Sequence, residues 1–182
     1  MRLFIGIPLS NETRKLLHDL QLKILQNAQT ANPTDIQNMH LTLAFLGETE
    51  VSKLDDLQNV MQNVLSNYSS FNIDIIKTSA FSKGNEYLVY GEIDSGKPLL
   101  MELANSIRKE LKDAGISFEE GPFTPHITLA RRVRYVSSTP SYKINQINII
   151  ETIQQICLYE STRVDGLLTY IPLITIPLNE SR

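Results

Sequence analysis

A five-residue pattern occurs twice in the chain and constrains its fold more than any other feature. Residues 40–44 read His-Leu-Thr-Leu-Ala, and residues 126–130 read His-Ile-Thr-Leu-Ala. The two copies lie 86 residues apart in a chain of 182 residues, which is too long a period for one unit of a solenoid. We therefore expect two related halves, each built around one copy of the pattern.

Each copy alternates polar and apolar residues, which is typical of a half-buried β-strand. Successive side chains of a strand point to opposite faces, so His40 and Thr42 share a face, and so do His126 and Thr128. The leucine and isoleucine residues between them are then free to fill the core. If the two strands pack side by side, two imidazoles and two hydroxyls converge on one cleft.

Hydrophobic periodicity predicts three helices and several more strands around these two. The first helix covers residues 11–28, with Leu16, Leu17, Leu20 and Ile24 as its inward face, and residues 32–35 form a loop. The other helices cover residues 51–66 and the stretch from Pro98 to a stop at Gly115. Without strict alternation of helices and strands, this order predicts an α+β fold with antiparallel sheets, and we treat residues 1–182 as a single domain of two similar lobes. The predicted strands cover residues 2–9, 39–46, 71–77, 86–93, 125–131, 142–150, 152–160 and 168–177.

Composition excludes several classes of protein. The net charge of -3 and the pI of about 5.6 do not fit a basic coat for nucleic acid. The single cysteine, Cys157, excludes an internal disulfide and a Cys-based zinc site, and we expect it to be a small core residue. No export signal or membrane span is recognisable, which predicts a cytoplasmic protein with no membrane partner.

Two imidazoles and two hydroxyls on one cleft suit the hydrolysis of a phosphodiester. One imidazole deprotonates the attacking water while the other protonates the leaving oxygen, and the hydroxyls hold the non-bridging phosphate oxygens. We therefore expect no metal ion and no other cofactor. A single His-x-Thr pattern is usually structural, but two copies that use two of only three histidines favour a function. The third histidine, His18, is predicted to be a surface residue of the first helix.

The paired motifs resemble those of the 2H phosphoesterase superfamily. Within it, the chain is similar to the bacterial and archaeal RNA 2′,3′-cyclic phosphodiesterases, historically called 2′-5′ RNA ligases. The resemblance covers essentially the whole chain and implies a bilobal, pseudo-twofold α+β architecture, with antiparallel sheets flanked by helices around a central cleft. It is carried by residues 2–7, 40–48, 124–131 and 158–161.

The resemblance also implies the reaction, which is the opening of 2′,3′-cyclic phosphate ends of RNA, or of small cyclic nucleotides, to 2′-phosphomonoesters. It implies that His40 is the general acid on the 3′-oxygen and that His126 is the general base on water, although the symmetry leaves the reverse assignment open. Thr42 and Thr128 would bind the phosphate, together with Arg131, a position that the family usually keeps basic.

The sequence leaves several alternatives open. Simple alternation places Arg132 on the face of His126, so Arg131 reaches the phosphate only if the strand contains a β-bulge. The cluster of Arg131, Arg132 and Arg134 is either a cleft rim or a solvated strand end. The activity is either hydrolysis or ATP-independent 2′-5′ ligation, or the protein is a non-catalytic nucleotide- or RNA-binding module, and in each case we expect a monomer.

One departure from the family concerns the base of the substrate. Many members carry an Arg-Trp pair before the first motif, whereas residues 30–34 here read Thr-Ala-Asn-Pro-Thr and the chain contains no tryptophan. Stacking on a base would then depend on phenylalanine or tyrosine. The candidates are Phe45, Phe123 and Tyr159.

Overall fold

The computed structural model describes residues 1–136 and 141–181. The helices are α1 (Asn11–Leu25), α2 (Leu54–Leu65) and α3 (Lys97–Asp113), with short 3₁₀ turns at Ile36–Asn38 and Val51–Lys53. None of the described helices is long and apolar enough to cross a membrane. The strands are β1 (Arg2–Pro8), β2 (Ala28–Pro33), β3 (His40–Glu48), β4 (Phe71–Lys83), β5 (Glu86–Ile93), β6 (His126–Tyr135), β7 (Ile149–Ile153), β8 (Gln155–Val164) and β9 (Leu167–Pro177).

The strands form one antiparallel sheet in the order β7-β4-β5-β6-β3-β1-β8-β9, and β2 pairs with β6 outside this order. The sheet has two arms of four strands that meet between β6 and β3. We call β3, β1, β8 and β9 the terminal arm, because both ends of the chain contribute to it, and β7, β4, β5 and β6 the middle arm. This mixed helix and strand architecture confirms the predicted α+β fold.

The helices that precede the two motif strands pack across the boundary between the arms. Helix α1, which precedes β3, packs against β6 and β7, whereas α3, which precedes β6, packs against β3. Helix α2 packs on α3 and β9. Each motif strand is therefore supported by the helix that belongs to the other motif.

Two predictions about local structure were wrong. The first helix ends at Leu25 rather than residue 28, and residues 28–33 form an edge strand instead of leading into a loop at 32–35. This strand is polar and mostly exposed, so it carries no apolar alternation and its pairing with β6 holds it in place. The predicted strand over 142–150 is wrong in its extent, because only its last two residues lie in a strand, Ile149–Ile153, which pairs with β4. The residues before it make separate backbone hydrogen bonds to β4, at Ile144 and Ile147.

The inward face of α1 also differs from the prediction. Leu17 and Ile24 are fully buried, but Leu16 is 42% exposed and the polar Gln21 is only 3% exposed. A polar side chain buried to this extent needs hydrogen-bond partners, and Gln21 has two. The helix is therefore rotated so that an amide, as well as leucine, faces the sheet.

The two motif strands touch at one point and then diverge. Leu41 pairs with Ile127, and both strands are bulged at the equivalent residue, which is Leu43 in β3 and Leu129 in β6. Beyond this point β6 pairs with β2, while the backbone N–H of Glu119 donates to the carbonyl of Phe45 in β3. The divergence opens a cleft across the centre of the sheet.

Candidate active site

The four motif side chains form a square on the cleft face of the sheet. Leu41 opposes Ile127 in an antiparallel pair, so extending the register by one residue each way places His40 opposite Thr128 and Thr42 opposite His126. Leu41 and Ile127 point the other way and are fully buried. The predicted convergence of two imidazoles and two hydroxyls is therefore present in the structure.

Both imidazole rings are held in the same way. His40 Nδ1 lies 2.7 Å from the carbonyl oxygen of Asn38, and His126 Nδ1 lies 2.7 Å from that of Thr124. A carbonyl oxygen only accepts, so Nδ1 carries the proton in each ring and donates it. Nε2 is therefore the atom of each neutral ring that is free to take up a proton in the cleft.

The surroundings of Nε2 differ between the rings. His40 Nε2 lies 2.8 Å from Thr42 Oγ1, so the hydroxyl donates to the neutral ring. Within the described residues, His126 Nε2 makes no hydrogen bond. The first imidazole is already engaged inside the protein, whereas the second presents its lone pair to the cleft.

Burial and a nearby cation keep both rings neutral. Burial lowers the pKa of His40 to about 4, assisted by the charges of Arg131 and His126. Burial also lowers the pKa of His126, and Arg131 adds to the effect. Since the usual pKa of histidine is about 6.5, both rings are neutral at neutral pH in the free protein.

An aromatic side chain from a hairpin meets each ring edge-on. The ring of Tyr170 on β9 lies 5.1 Å from that of His40, with an interplanar angle of 87°. The ring of Phe81 on β4 lies 5.5 Å from that of His126, also at 87°. Sequence analysis missed both residues, because their strands are far from the motifs in the chain and carry no signal that relates them to a histidine.

The fifth position after each histidine is cationic in one motif and aromatic in the other. Arg131 and Phe45 both line the cleft, and Phe45 is 43% exposed. The bulge at Leu129 shifts the alternation by one residue, which turns Arg131 rather than Arg132 towards His126. Arg132 is exposed and adopts a left-handed conformation, and Arg134 pairs with Glu86 at 2.7 Å, so of the three arginines only Arg131 lines the cleft.

The cleft has a volume of about 650 Å³ and continues into two smaller pockets. One, of about 210 Å³, lies beside His40 and Thr128, and the other, of about 160 Å³, lies beside Thr42 and His126. The central cleft is large enough for a nucleotide-sized ligand. Within the described part of the chain, no cluster of three or more His, Cys, Asp or Glu side chains is placed to hold a metal ion.

The predicted base-stacking residues have different positions. Phe45 lines the central cleft, and Phe123 lines the smaller pocket, with the guanidinium of Arg108 5.2 Å from its ring centroid. Tyr159 is only 9% exposed and stacks on Phe4 at 5.0 Å, so its inclusion as a stacking residue was wrong. Cys157 is buried as predicted, and His18 lies outside the cleft.

Comparison with known proteins places this site in a family. The sequence profile of the 2′-5′ RNA ligase superfamily matches residues 18–147. An RNA 2′,3′-cyclic phosphodiesterase of Thermotoga maritima is 32% identical over 135 residues, which cover 74% of this chain and 71% of the relative. The chain therefore belongs to the 2′-5′ RNA ligase superfamily, and the resemblance to 2H phosphoesterases is confirmed.

Solved structures agree with this assignment. The structure of Escherichia coli LigT complexed with 3′-AMP is 26% identical, covers 98% of each chain and has a TM-score of 0.80. The structure of TT0787 of Thermus thermophilus, at 24% identity, covers 100% of each chain with a TM-score of 0.84. The latter supports the fold alone.

Proposed function

We propose that the protein hydrolyses 2′,3′-cyclic phosphate ends of RNA, or small nucleotides with the same end, to 2′-phosphomonoesters. The observation that carries this proposal is the square of two imidazoles and two hydroxyls, which faces a nucleotide-sized cleft beside a cationic side chain. The Thermotoga maritima relative is named RNA 2′,3′-cyclic phosphodiesterase, which supports this class of substrate. The Escherichia coli LigT structure is a complex with 3′-AMP, so a relative of the same fold binds a nucleotide.

In this proposal the phosphate lies between the two motif strands. The hydroxyls of Thr42 and Thr128 donate to its non-bridging oxygens, and the guanidinium of Arg131 balances their charge. The hydroxyl of Thr42 then exchanges its bond to His40 Nε2 for one to the phosphate. The nucleoside extends towards Phe45, which supplies an exposed aromatic face for the base.

The proton transfers use Nε2 of each ring. His126 Nε2 takes a proton from water as the water attacks phosphorus, and His40 Nε2 gives a proton to the leaving 3′-oxygen. His40 is neutral in the free protein, so it must gain this proton in the complex. The anionic phosphodiester offsets the charge of Arg131 and raises the pKa of the imidazole, which makes that protonation favourable.

The proposed reaction is tested with an RNA oligonucleotide that ends in a 2′,3′-cyclic phosphate. The product is separated by chromatography against 2′-phosphate and 3′-phosphate standards, with and without excess EDTA. We expect a 2′-phosphate at an unchanged rate in EDTA. A 3′-phosphate would reverse the leaving group, loss of turnover in EDTA would contradict the metal-free reaction, and tight binding without turnover would indicate a binding module.

The assignment of acid and base is tested by changing the leaving atom. In a substrate with a 3′-bridging sulfur, the leaving thiolate needs no proton, so loss of the general acid matters little. We expect the 3′-sulfur substrate to restore most of the activity of His40→Ala and little of that of His126→Ala. The opposite pattern would exchange the two roles.

Ligation is the alternative outcome that the same groups allow. The 5′-hydroxyl of a second RNA would replace water as the nucleophile, and the 2′-5′ bond would form without ATP. Water is far more concentrated than RNA ends, so we expect hydrolysis to dominate. Incubation of paired tRNA halves, followed by electrophoresis, measures the joined product directly.

A further inference from the structure

Gln21 joins parts of both half-sites from the buried face of α1. Its side-chain nitrogen donates to the carbonyl of Thr34 at 2.8 Å and to that of Leu129 at 2.7 Å. Thr34 begins the segment that leads to His40, whereas Leu129 is the bulge residue of the other motif strand. The backbone N–H of Thr34 also donates to the carbonyl of Leu129 at 2.9 Å.

Arg108 makes the equivalent connection from α3. Its Nε donates to the carbonyl of Leu43 at 3.3 Å, and its Nη1 donates to that of Gly121 at 2.9 Å. Leu43 is the bulge residue of the first motif strand, and Gly121 lies in the segment that leads to His126. The guanidinium is half-buried and packs over Phe123, which lies between Gly121 and His126 in the chain.

The two connections are equivalent in the two half-sites and cross from one half-site to the other. Each joins the segment before one histidine to the bulge of the strand that carries the other. The same segments hold the rings, because Asn38 and Thr124 supply the carbonyls that accept from Nδ1 of His40 and His126. A movement of either connection therefore changes the position of one imidazole relative to the other.

We propose that Gln21 and Arg108 are positioning residues that set the separation and orientation of the two catalytic imidazoles. The proposal rests on the proposed function of the two histidines. Gln21 lines neither the central cleft nor its two side pockets, and Arg108 reaches only the smaller pocket beside Thr42 and His126, while its hydrogen bonds go to backbone carbonyls. We infer that each acts through these carbonyls. Acid–base catalysis across one phosphorus needs both rings placed to within a fraction of an ångström, so loosening either connection lowers turnover more than binding.

The test compares Gln21→Met and Arg108→Met with destabilising changes on the same helices. Each methionine keeps an unbranched side chain of similar bulk and removes the donors. Leu17→Ala and Leu111→Ala remove fully buried side chains of α1 and α3 that make no hydrogen bond to either segment. For all four variants, Tm, kcat and KM are measured, and the imidazole protons of His40 and His126 are titrated by NMR.

We expect each methionine variant to lower kcat about ten- to a hundredfold while KM stays within about twofold. We also expect the pKa of both histidines to rise towards the ordinary value of about 6.5, because the loosened rings gain solvent. Leu17→Ala and Leu111→Ala should lower Tm at least as much as the methionine variants do, but should leave the titrations of His40 and His126 unchanged. If Gln21→Met does not fold, Arg108→Met tests the same proposal from a half-buried position.

Two results would overturn the proposal. One is a kcat loss in the methionine variants no larger than in leucine variants of equal Tm. The other is a set of histidine titrations that matches the wild type. The titrations need no turnover, so they decide about positioning even if the wild-type protein fails to open a cyclic phosphate, which would be a failure of the proposed function alone.

Discussion

The two half-sites of the cleft share a scaffold and differ in a few side chains. In both, a carbonyl two residues before the histidine accepts from Nδ1, a bulge lies three residues after it, and an aromatic ring meets the imidazole edge-on. The differences concern the cleft itself. Position +5 is Phe45 in one half and Arg131 in the other, and among the residues that the structure describes a hydroxyl is bonded to Nε2 of His40 but not to that of His126.

The different +5 residues give the two half-sites different tasks in the proposed reaction. Arg131 would bind the phosphate, and Phe45 would stack on the base. In the proposed reaction, the shared scaffold supplies two equivalent imidazoles for proton transfer, one on each side of the phosphorus atom. Arg131 at one +5 position and Phe45 at the other make the two half-sites chemically different, although Arg2 and the exposed ring of Phe81 also line the cleft. A symmetric scaffold with asymmetric +5 residues can therefore accept a phosphate and a base in one orientation.

The largest loss of activity is expected when either imidazole is removed. We expect His40→Ala and His126→Ala each to lower kcat/KM for a 2′,3′-cyclic phosphate by about a thousandfold, because each removes one proton-transfer group. His18→Ala is the matched control, since it removes the histidine outside the cleft, and it should retain full activity. If either cleft variant kept more than a tenth of wild-type activity, the acid–base pair would be excluded.

The unequal burial of the two rings predicts an unequal pH dependence of stability. The folded-state pKa of His40, about 4, lies below the value of about 6.5 expected when unfolded, so the unfolded chain binds the proton first. The neutral ring of His40 therefore makes its full contribution to the free energy of unfolding above about pH 6.5. That contribution, up to about 3 kcal/mol, is lost as the pH falls towards 4. Denaturant unfolding across this range measures it.

The aspartate and glutamate side chains also titrate as the pH falls towards 4, so histidine variants are needed to isolate the contribution of His40 to stability. The free energy of unfolding of His40→Ala should fall less steeply between pH 6.5 and 4 than that of the wild type. His126→Ala should lie between them, since its ring is more accessible at Nε2. Parallel curves for His40→Ala and the wild type would show that the ring of His40 is not held neutral.

The +5 residues should respond differently to truncation. Arg131→Met is expected to lower kcat/KM about a hundredfold, because it removes the cation that faces the developing phosphate charge. Phe45→Leu is expected to raise KM about tenfold with little change in kcat, through weaker stacking on the base. The double exchange of Phe45→Arg with Arg131→Phe should remain impaired.

Arg131→Met also tests the electrostatics of the cleft. The charge of Arg131 lowers the pKa of both imidazoles, so its removal should raise both pKa values. The rate of the variant should then depend more strongly on pH below neutrality. NMR titration of the two rings measures the change. Equal kinetic effects of the Arg131 and Phe45 variants, or unmoved titrations, would count against the division of tasks.

The smallest expected effect comes from a glycine that touches one ring. A Cβ at Gly6 would lie 3.4 Å from His40 Cδ2 and 3.0 Å from the carbonyl of Leu41. The same Cβ would lie 3.2 Å from Phe4, whose ring is 4.8 Å from that of His40. We expect Gly6→Ala to shift His40 indirectly, through Phe4 and the Leu41 carbonyl, and to lower kcat several-fold. Gly91→Ala is the control, because its Cβ would meet Ile75 at 3.2 Å and neither histidine, so it should lower Tm without a matching loss of kcat.

Sequence patterns predicted the parts of the molecule that depend on local periodicity. The alternation in the motifs placed His40, Thr42, His126 and Thr128 on shared faces, and the structure agrees. Prediction failed where pairing with a distant segment decides the conformation, as in the polar edge strand β2 and in the rotation of α1. The catalytic roles of the four motif residues stay predictions, and so does the single domain of two lobes.

The amino-acid sequence by itself determined the two motifs, their spacing and the chemistry that two imidazoles and two hydroxyls permit. Those features need only side-chain identity and the period of a strand. Tertiary structure alone decided which distant groups contact the two motifs. The arms of the sheet do not correspond to the two halves of the chain, because β8 and β9 return to pair beside β1. The bulges that turn Arg131 into the cleft, the lowered pKa of His40 and the crossed bonds of Gln21 and Arg108 arise from packing between segments far apart in sequence, which no local pattern encodes.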